Sequence, residues 1–228
     1  EISACLVGSE MCIRDSGYTV KSKILYASDF GVPQRRNRLF IVGNRNGIDF
    51  EFPKEFDYSV SVDEAISDLP VLGNGEIQMK GEYTVPFEQA SPYAQLMRKK
   101  SKAPTQNIVS RNKDYVVERY KYIGQGENWS SIPDRLMENY ADKKRCHSGI
   151  YKRLIGGKPS VVISNYRKSM LIHPHQDRGL SVREAARLQS FPDHFIFEGP
   201  VSYVQQQIGN AVPPLLAKAV MKKILTYK

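Results

Sequence analysis

The chain has 228 residues, of which 41% are hydrophobic, and a formal net charge of +9 at pH 7. That length holds one large or two small domains, and the apolar content is ample for a globular core. No apolar run approaches the roughly 20 residues that span a bilayer, and the first residues do not resemble a signal peptide. We therefore expect a soluble, cytoplasmic chain. The cysteines have unrelated spacings, which argues against a disulfide framework: Cys5, Cys12 and Cys146.

The first 16 residues form a segment of their own. The string from Cys5 to Ser16 reads Cys-Leu-Val-Gly-Ser-Glu-Met-Cys-Ile-Arg-Asp-Ser and resembles a translated sequencing adapter. We therefore interpret residues 1–16 as a non-native leader. An uninterrupted native reading frame through this point of the genomic locus would contradict that interpretation.

Two predicted strands follow, joined by a cationic loop. β-branched and aromatic residues mark Tyr18–Tyr26 as one strand, and the apolar run Leu39–Val42 marks the other. Gly31 and Pro33 frame a connection that we expect to be too polar to bury, although a solvated hairpin turn is the alternative. Its tip carries side chains that suit bidentate contact with phosphate or a base carbonyl: Gln34, Arg35, Arg36 and Arg38.

The middle of the chain is basic and irregular. Residues 98–168 hold 17 Lys and Arg against 6 Asp and Glu, so they carry the whole positive excess. Such a block favours nucleic acid as a partner, although a solvated lysine face is the alternative. Its aromatic residues suit either base stacking or core packing. We predict loops and short strands of a smaller domain, preceded by a brief helix at Asp63–Leu69 that Ser61 caps.

Short strings with possible metal or nucleotide chemistry lack the required spacing. Cys146-His147 and His173-Pro-His175 contain metal-binding side chains without the pairing of a zinc site, so we predict no metal. Gly124-Gln-Gly126 and Gly156-Gly-Lys-Pro-Ser160 do not have the spacing of phosphate-binding loops.

A short, tightly bounded helix is predicted between Ser181 and Pro192. Ser181 and Glu184 have the spacing of a capping box, and Pro192 ends the helix after about two turns. Two arginines four residues apart share an edge that we expect to face outward: Arg183 and Arg187. The C-terminal residues predict a closing helix with an apolar stripe, whose start is set by two prolines: Pro213 and Pro214.

Three blocks carry a resemblance to a known family. Residues 178–193 read Arg-Gly-Leu-Ser-Val-Arg-Glu-Ala-Ala-Arg-Leu-Gln-Ser-Phe-Pro-Asp and resemble a signature block of the DNA cytosine-5 methyltransferases. Residues 31–43, Gly-Val-Pro-Gln-Arg-Arg-Asn-Arg-Leu-Phe-Ile-Val-Gly, resemble the block that grips the flipped cytosine and its phosphates. Residues 207–214, Gln-Ile-Gly-Asn-Ala-Val-Pro-Pro, resemble the closing block beside the methyl donor. The three blocks occur in the family's order.

The resemblance implies an α/β fold in two parts. One part is a partial S-adenosylmethionine-dependent methyltransferase domain of the Rossmann-like type, and the other is a small, mostly β target-recognition domain. In this scheme residues 17–56 are the last strands of the catalytic domain, and residues 57–170 are the recognition domain. Residues 171–228 are the closing helices, which return to the catalytic domain.

The resemblance also implies roles for particular residues. Arg36 and Arg38 are expected as catalytic residues that orient and polarise the extruded cytosine, which must leave the base stack before its ring is attacked. The expected contacts to S-adenosylmethionine, the methyl donor, are Gly209, Asn210 and Ala211. The expected DNA contacts combine the loop with the basic segment: Gln34, Arg98, Lys99, Lys100, Arg111 and Lys113.

The family's nucleophile is not found in these 228 residues. That nucleophile is a cysteine in a Pro-Cys dipeptide, whereas the cysteines here follow Ala4, Met11 and Arg145. The family's Phe-x-Gly-x-Gly and Glu-Asn-Val strings are not found either. We therefore interpret the chain as the C-terminal part of such an enzyme, inactive alone and monomeric when complete. Its expected partners are duplex DNA and the missing N-terminal catalytic portion, in a restriction-modification system.

Two other functions stay open. A noncatalytic DNA-recognition subunit of a split methyltransferase would act with a separately encoded catalytic half. A native reading frame that continues upstream into a Pro-Cys string would argue against it. A methyltransferase acting on RNA is the weaker alternative, which a substrate competition assay would test.

Overall fold

The computed structural model describes residues 12–13, 15–138, 149–164, 166 and 170–227. Most of the proposed leader lies outside the described residues, as do Cys146 and the basic residues beside it, so those interpretations stay predictions. Within the described residues, no helix is both long and apolar enough to cross a bilayer.

An antiparallel hairpin opens the described fold. Strand β1 covers Thr19–Tyr26 and strand β2 covers Asn37–Asn44, and the two pair along their whole length. Both strands were predicted, and β2 extends beyond the predicted apolar run at each end. The chain leaves β1 through a 3-10 turn at Ala27–Phe30, which ends at Gly31 with φ 74°. Glycine adopts this left-handed conformation without steric cost.

The middle of the chain contains more helix than expected. Helix α1 covers Val62–Ile66, and Ser61 caps it through a capping box with Glu64. The other elements here are helices α2 and α3 and the antiparallel pair of strands β3 and β4: Pro92–Arg98, Asp114–Tyr120, Ile77–Lys80 and Thr105–Ile108. The α/β class is confirmed, but the described part of residues 57–170 is not mostly β. Our prediction overlooked the Ser91 cap followed by proline, a helix-start signal.

Helix α4 covers Val182–Leu188. The predicted capping box is present, because Ser181 Oγ accepts from the Glu184 N–H at 3.2 Å and the Glu184 carboxylate accepts from the Ser181 N–H at 2.7 Å. The helix ends by a different means than predicted. Ser190 has φ 65°, and this left-handed residue terminates the helix before Pro192 is reached.

Two further helices complete the fold. Helix α5 covers Val201–Asn210 and helix α6 covers Pro214–Leu225. Helix α6 begins at the predicted prolines, which confirms the closing helix. Its apolar face packs against the turn after β1, where Leu216 and Val220 share a core with Phe30.

The main hydrophobic core crosses the predicted boundary at residue 171. It combines side chains of α1 and α2 with side chains of α4 and α5, including Ala65, Met97, Ala186 and Ile208. A smaller core surrounds Tyr120. The segments assigned to the recognition domain and to the closing helices are therefore packed together, and the division into those domains stays a prediction.

Candidate functional site

A buried polar node joins distant segments beside the loop between β1 and β2. We define it by five residues: Gln34, Arg36, Ile163, Gln189 and Gly209. The fully buried Gln34 side chain donates to the Leu188 carbonyl and to Gln189 Oε1, both at 3.2 Å. Its Oε1 accepts from the Ile163 N–H at 3.0 Å. Gln189 in turn donates to the Ile208 carbonyl at 2.6 Å, so the loop connects the ends of α4 and α5.

Arg36 extends the polar node. Its Nη1 donates to the Ile163 carbonyl at 3.1 Å and its Nη2 donates to the Gly209 carbonyl at 2.7 Å. The residue is 2% exposed, and its Nε has no hydrogen-bond partner in the described part of the chain. Main-chain carbonyls take up donors on both terminal nitrogens, and burial leaves almost none of the side chain accessible to an extruded base. We therefore revise its expected catalytic role to a positioning role.

The loop is mostly buried, contrary to our expectation. Val32, Pro33, Gln34 and Arg36 are buried, whereas Arg35 is exposed. Burying polar side chains is costly only when they lack partners, and here main-chain groups of distant segments supply them. Those partners lie at least 127 residues away in sequence, so no local pattern indicates them.

Gly209 allows α5 to pack closely against a neighbouring segment and does not lie in an open turn. It lies in the last turn of α5, and a Cβ at this position would lie 1.8 Å from the Ser164 carbonyl oxygen. We expected this glycine to approach the methyl donor, but it approaches the protein's own main chain. Its carbonyl accepts a hydrogen bond from Arg36. Asn210 is exposed and Ala211 is half-buried. Both residues are accessible, and the contact of this block with the methyl donor stays a prediction.

Arg35 and Arg38 are the cations of the loop and β2 that remain accessible. Arg35 is exposed, and its main-chain N–H donates to the Ser160 carbonyl at 2.8 Å. Arg38 is half-buried, and its Nη1 donates to the Asn37 carbonyl at 2.9 Å. Partial burial lowers the pKa of Arg38, but a guanidinium stays charged at neutral pH. Arg38 therefore keeps donors for a base or a phosphate.

The arginines of α4 point inward, contrary to our expectation. The fully buried Arg187 donates to Asp68 and to Asp193, each at 2.7 Å. Arg183 is also fully buried and donates to the Thr105 carbonyl at 2.8 Å. Although burial alone would lower it, the two ion pairs raise the pKa of Arg187. These partners explain how a charged edge is accommodated in the interior.

A second buried ion pair lies at the start of α4. Arg178 donates to the Glu184 carboxylate at 2.9 and 2.7 Å. Burial would raise the pKa of Glu184, but Arg178 outweighs burial and lowers it to about 2. Burial lowers the pKa of the adjacent His173 to about 4, so this imidazole is neutral at pH 7. Among the described residues, no group of three or more His, Cys, Asp or Glu side chains is arranged to hold a metal ion.

Arg98 is the predicted DNA contact whose position fits that role least. Its guanidinium lies 3.8 Å from the Tyr83 ring centroid and 3.3 Å from the Asp68 carboxylate, and the residue is only 7% exposed. A cation enclosed by a carboxylate and an aromatic ring is not placed for phosphate contact. The other predicted contacts of the basic segment are exposed, and the described contacts do not gather them into one site: Lys99, Lys100, Arg111 and Lys113.

The aromatic residues of the basic segment divide between core and surface. Tyr120 is buried in the smaller core, and Trp129 packs against that core. Tyr115 and Tyr122 are 48% and 37% exposed. Among the described aromatic residues of this segment, the two exposed tyrosines fit the stacking role best.

Residues 152–164 are a part of the site that the sequence reasoning missed. Gln34 and Ser160 form a parallel bridge, and the Ser160 N–H donates to the Pro33 carbonyl at 2.9 Å. The same segment supplies Ile163 to the polar node. Its one sequence signal is the apolar triplet Val161–Ile163, which is typical of a short buried strand.

The fold resembles that of a solved structure. A crystal structure described as a DNA modification methyltransferase encoded within a prophage of E. coli superposes with a TM-score of 0.68 and 22% identity. The match covers 98% of this chain and 64% of that one. The chain thus has an α/β methyltransferase fold.

The sequence comparisons define the family. The profile of the C-5 cytosine-specific DNA methylases matches residues 11–226, so the chain belongs to that family. It is 35% identical over 211 residues to the Type II methyltransferase M1.HphI of Haemophilus parahaemolyticus, covering 92% of this chain and 48% of that protein. It is 34% identical over 232 residues to M.DdeI of Desulfomicrobium norvegicum, covering 92% and 55%. The chain spans about half the length of these curated relatives.

Proposed function

We propose that the chain is part of a DNA cytosine-5 methyltransferase of a restriction-modification system, which methylates C5 of a cytosine in a specific duplex sequence. The observation that carries the proposal is the polar node, where a hydrogen bond joins each pair of signature blocks. Gln34 contacts Gln189, Arg36 contacts Gly209, and Gln189 contacts Ile208. Blocks that serve one active site must converge in space, and these three do.

The proposed reaction begins with extrusion of the cytosine from the stack. A cysteine thiolate adds to C6, C5 accepts the methyl group, and loss of the C5 proton with release of the thiolate restores the ring. S-adenosylmethionine supplies the methyl group when bound. In this chain, Arg38 holds and polarises the extruded base, and Arg36 and Gln34 keep the loop that precedes it in place. The thiolate belongs to a portion that these 228 residues do not contain, because no cysteine here follows a proline.

Transfer of tritium-labelled methyl groups from S-adenosylmethionine to duplex DNA tests the proposal. We expect no label in DNA with the 228-residue chain alone. Label should appear after addition of an N-terminal half from a relative such as M1.HphI, of which this chain covers only 48%.

Cys146→Ser is the control for the position of the nucleophile. Label incorporated by the chain alone, and abolished by Cys146→Ser, would make Cys146 the nucleophile and overturn the proposed division of the enzyme. If the added half yields no label, the assay is repeated with a half from M.DdeI. Label with this second half would show that the first pair was mismatched, and no label with either half would contradict the proposal.

A noncatalytic DNA-recognition subunit of a split methyltransferase is the second candidate. Its supporting observation is that side chains of this chain alone form the three hydrophobic cores of the described residues. Purification of the native protein from its source distinguishes the two candidates. A separate catalytic polypeptide that copurifies with this chain supports the split subunit, whereas a single longer polypeptide supports the first proposal.

A further inference from the structure

A cavity of about 390 Å³ lies between helix α6, helix α2 and the turn that follows β1. Phe30 and Gly31 line it from the turn, and the segment after β2 lines it with Phe56, Tyr58 and Val60. Its volume is within the range of small-molecule sites in proteins. No residue of the polar node lines it, and neither do the residues expected to contact the methyl donor. We call this feature the Tyr58–Lys218 cavity.

One wall of the Tyr58–Lys218 cavity is aromatic. Phe56 and Tyr58 stack with ring centroids 5.4 Å apart and an interplanar angle of 17°, and Phe30 meets the Phe56 ring edge-on at 5.9 Å. Phe56 and Tyr58 are 45% and 57% exposed, and Leu96 of α2, which also lines the cavity, is 44% exposed. Accessible aromatic faces of this kind favour contact with another planar ring.

Hydrogen bonds within the chain hold the sides of the cavity. The Phe56 N–H donates to the Asp29 carbonyl at 2.8 Å, which ties the segment after β2 to the turn after β1. On α2, the Tyr93 hydroxyl donates to the Arg187 carbonyl at 2.5 Å, so the Tyr93 side chain that lines the cavity is fixed to α4. The cavity is therefore formed by contacts of the chain itself.

Two lysines of α6 give the cavity positive charge. Lys218 and Lys222 are four residues apart, so they lie on the same side of the helix, and both are exposed. Neither has an ion-pair partner among the residues that the structure describes, and the Tyr58 hydroxyl has no hydrogen-bond partner there. Glu64 is the acidic lining residue, and its carboxylate already accepts from the Ser61 N–H at 2.8 Å and from Ser61 Oγ at 2.6 Å.

We propose that the Tyr58–Lys218 cavity binds a small aromatic carboxylate. The ring of the ligand packs against the accessible faces of Phe56 and Tyr58, and its carboxylate accepts from the ammonium groups of Lys218 and Lys222. Apolar walls with a few polar groups at one side select a ligand that has an apolar body and one charged end. The cavity is separate from the polar node, so this proposal does not depend on the proposed function.

Isothermal titration calorimetry of the 228-residue chain with cinnamate tests the cavity. We expect a single site with a dissociation constant below about 1 mM, a value in keeping with the size of the ligand. The Lys218→Ala/Lys222→Ala variant should bind about 5-fold more weakly, because it loses two solvent-exposed ion pairs. The matched control is Lys80→Ala/Lys102→Ala, which removes the same charge from exposed sites outside the cavity and should bind like the parent. No binding of cinnamate by the parent would overturn the proposal.

Two further probes separate the charge of the ligand from its ring. Cinnamyl alcohol is the neutral analogue and should bind the parent more weakly than cinnamate does, with no difference between the parent and the lysine variant. Octanoate keeps the carboxylate but has no ring, and it should also bind more weakly than cinnamate. Equal affinity for cinnamyl alcohol and cinnamate would overturn the assignment of an anion, and tighter binding of octanoate would overturn the aromatic class.

A variant of the apolar wall separates binding from folding. Leu96→Glu places a carboxylate in the cavity and should abolish the binding of cinnamate. Leu96→Met keeps an apolar side chain and should bind like the parent. Both variants should melt within a few degrees of the parent, because Leu96 is exposed on α2. Parent-like binding by Leu96→Glu would overturn the assignment of the ligand to this cavity.

Other occupants of the cavity have different signatures. A dimer of the parent in sedimentation velocity that Leu96→Glu dissociates would show that a second copy of the chain covers the cavity, which would overturn a small-molecule site. Loss of cinnamate binding on addition of an N-terminal half from M1.HphI would overturn it in favour of that polypeptide. Cinnamate binding without methyl transfer by the combined halves would support the cavity and contradict only the proposed function.

Discussion

Arg36 and Arg38 are two positions apart in sequence, yet they contact different parts of the molecule. Arg36 supplies hydrogen bonds to two buried carbonyls, of Ile163 and Gly209. Arg36→Ala should lower the free energy of unfolding by about 2–4 kcal/mol, because the buried carbonyls lose their donors. Arg38→Ala should change it by less than about 0.5 kcal/mol, as is usual for half-exposed side chains. Urea denaturation of the two variants would measure both values, and equal losses would contradict this distinction.

Arg38→Ala, which should hardly change stability, should strongly reduce activity. In an enzyme completed with a catalytic half, Arg38→Ala should lower turnover far more than DNA affinity, because a base-orienting contact acts mainly after the base is extruded. The measurements are single-turnover rates and the dissociation constant of the same duplex. Arg38→Ala with parent rate and parent affinity would mean that our alignment of this block is wrong.

His173 gives the fold a specific dependence on pH. Its pKa falls from an ordinary value of 6.5 to about 4 in the folded chain, so the stabilising neutral form is favoured above pH 6.5 and is lost as the pH falls toward 4. Between pH 7 and pH 5 the free energy of unfolding should fall by about 2 kcal/mol from this group alone. The Glu184 pair persists over this range, because its pKa is lowered to about 2.

Urea denaturation at pH 7 and pH 5 would measure this dependence of stability on pH. The His173→Gln variant should show a smaller difference between the two pH values than the parent. The exposed His194 provides the matched control, since His194→Gln should keep the parent difference. An undiminished pH dependence in His173→Gln would assign the effect to other groups.

At the scale of elements, the last turn of α5 depends on the absence of a side chain at Gly209. A Cβ there would lie 1.8 Å from the Ser164 carbonyl oxygen, so Gly209→Ala must displace either the helix or the segment beside it. We expect a loss of about 3 kcal/mol or more in unfolding free energy, as for overpacked core sites. Gly157→Ala is the control, because an added Cβ meets nothing within 4 Å. Thermal and urea unfolding of both variants would test the difference.

The start of helix α4 was predicted correctly, but the exposure of its arginines was not. Its start was predictable from Ser181 and Glu184, because capping depends on residues within one turn. Its burial was not, since every residue from Val182 to Leu188 is buried, including both arginines. Charged residues along one side of a helix indicate an exposed face unless carboxylates and carbonyls of other elements contact them. Here Asp68 and Asp193 do so for Arg187.

At the scale of the whole molecule, the shared core predicts cooperative unfolding. The main core combines α1 and α2 with α4 and α5, and Arg153 connects the smaller core to the segment that leads into α4. Trp129 is the only tryptophan and packs against the smaller core, so its fluorescence reports on that part. Far-UV circular dichroism reports on the helices. The two transitions in urea should coincide, and an earlier fluorescence transition would show that the smaller core unfolds independently.

The sequence by itself determined the local elements and the chemical identity of the three blocks. The hairpin strands, the Ser61 cap of α1, the capping box of α4 and the prolines that begin α6 depend on residues a few positions apart, which is why sequence patterns indicate them. The resemblance of the three blocks to the family's signature blocks led to the correct family.

Only the tertiary structure decided which polar residues of those blocks face a substrate and which hold the fold together. Gln34 and Arg36 resemble solvent-facing residues until carbonyls and amides at least 127 residues away are brought to them. Arg98 and Arg187 are enclosed because Asp68 lies between them. The cost of burying a charge depends on whether hydrogen-bond and ion-pair partners lie beside it in the folded chain, and the local sequence does not contain that information.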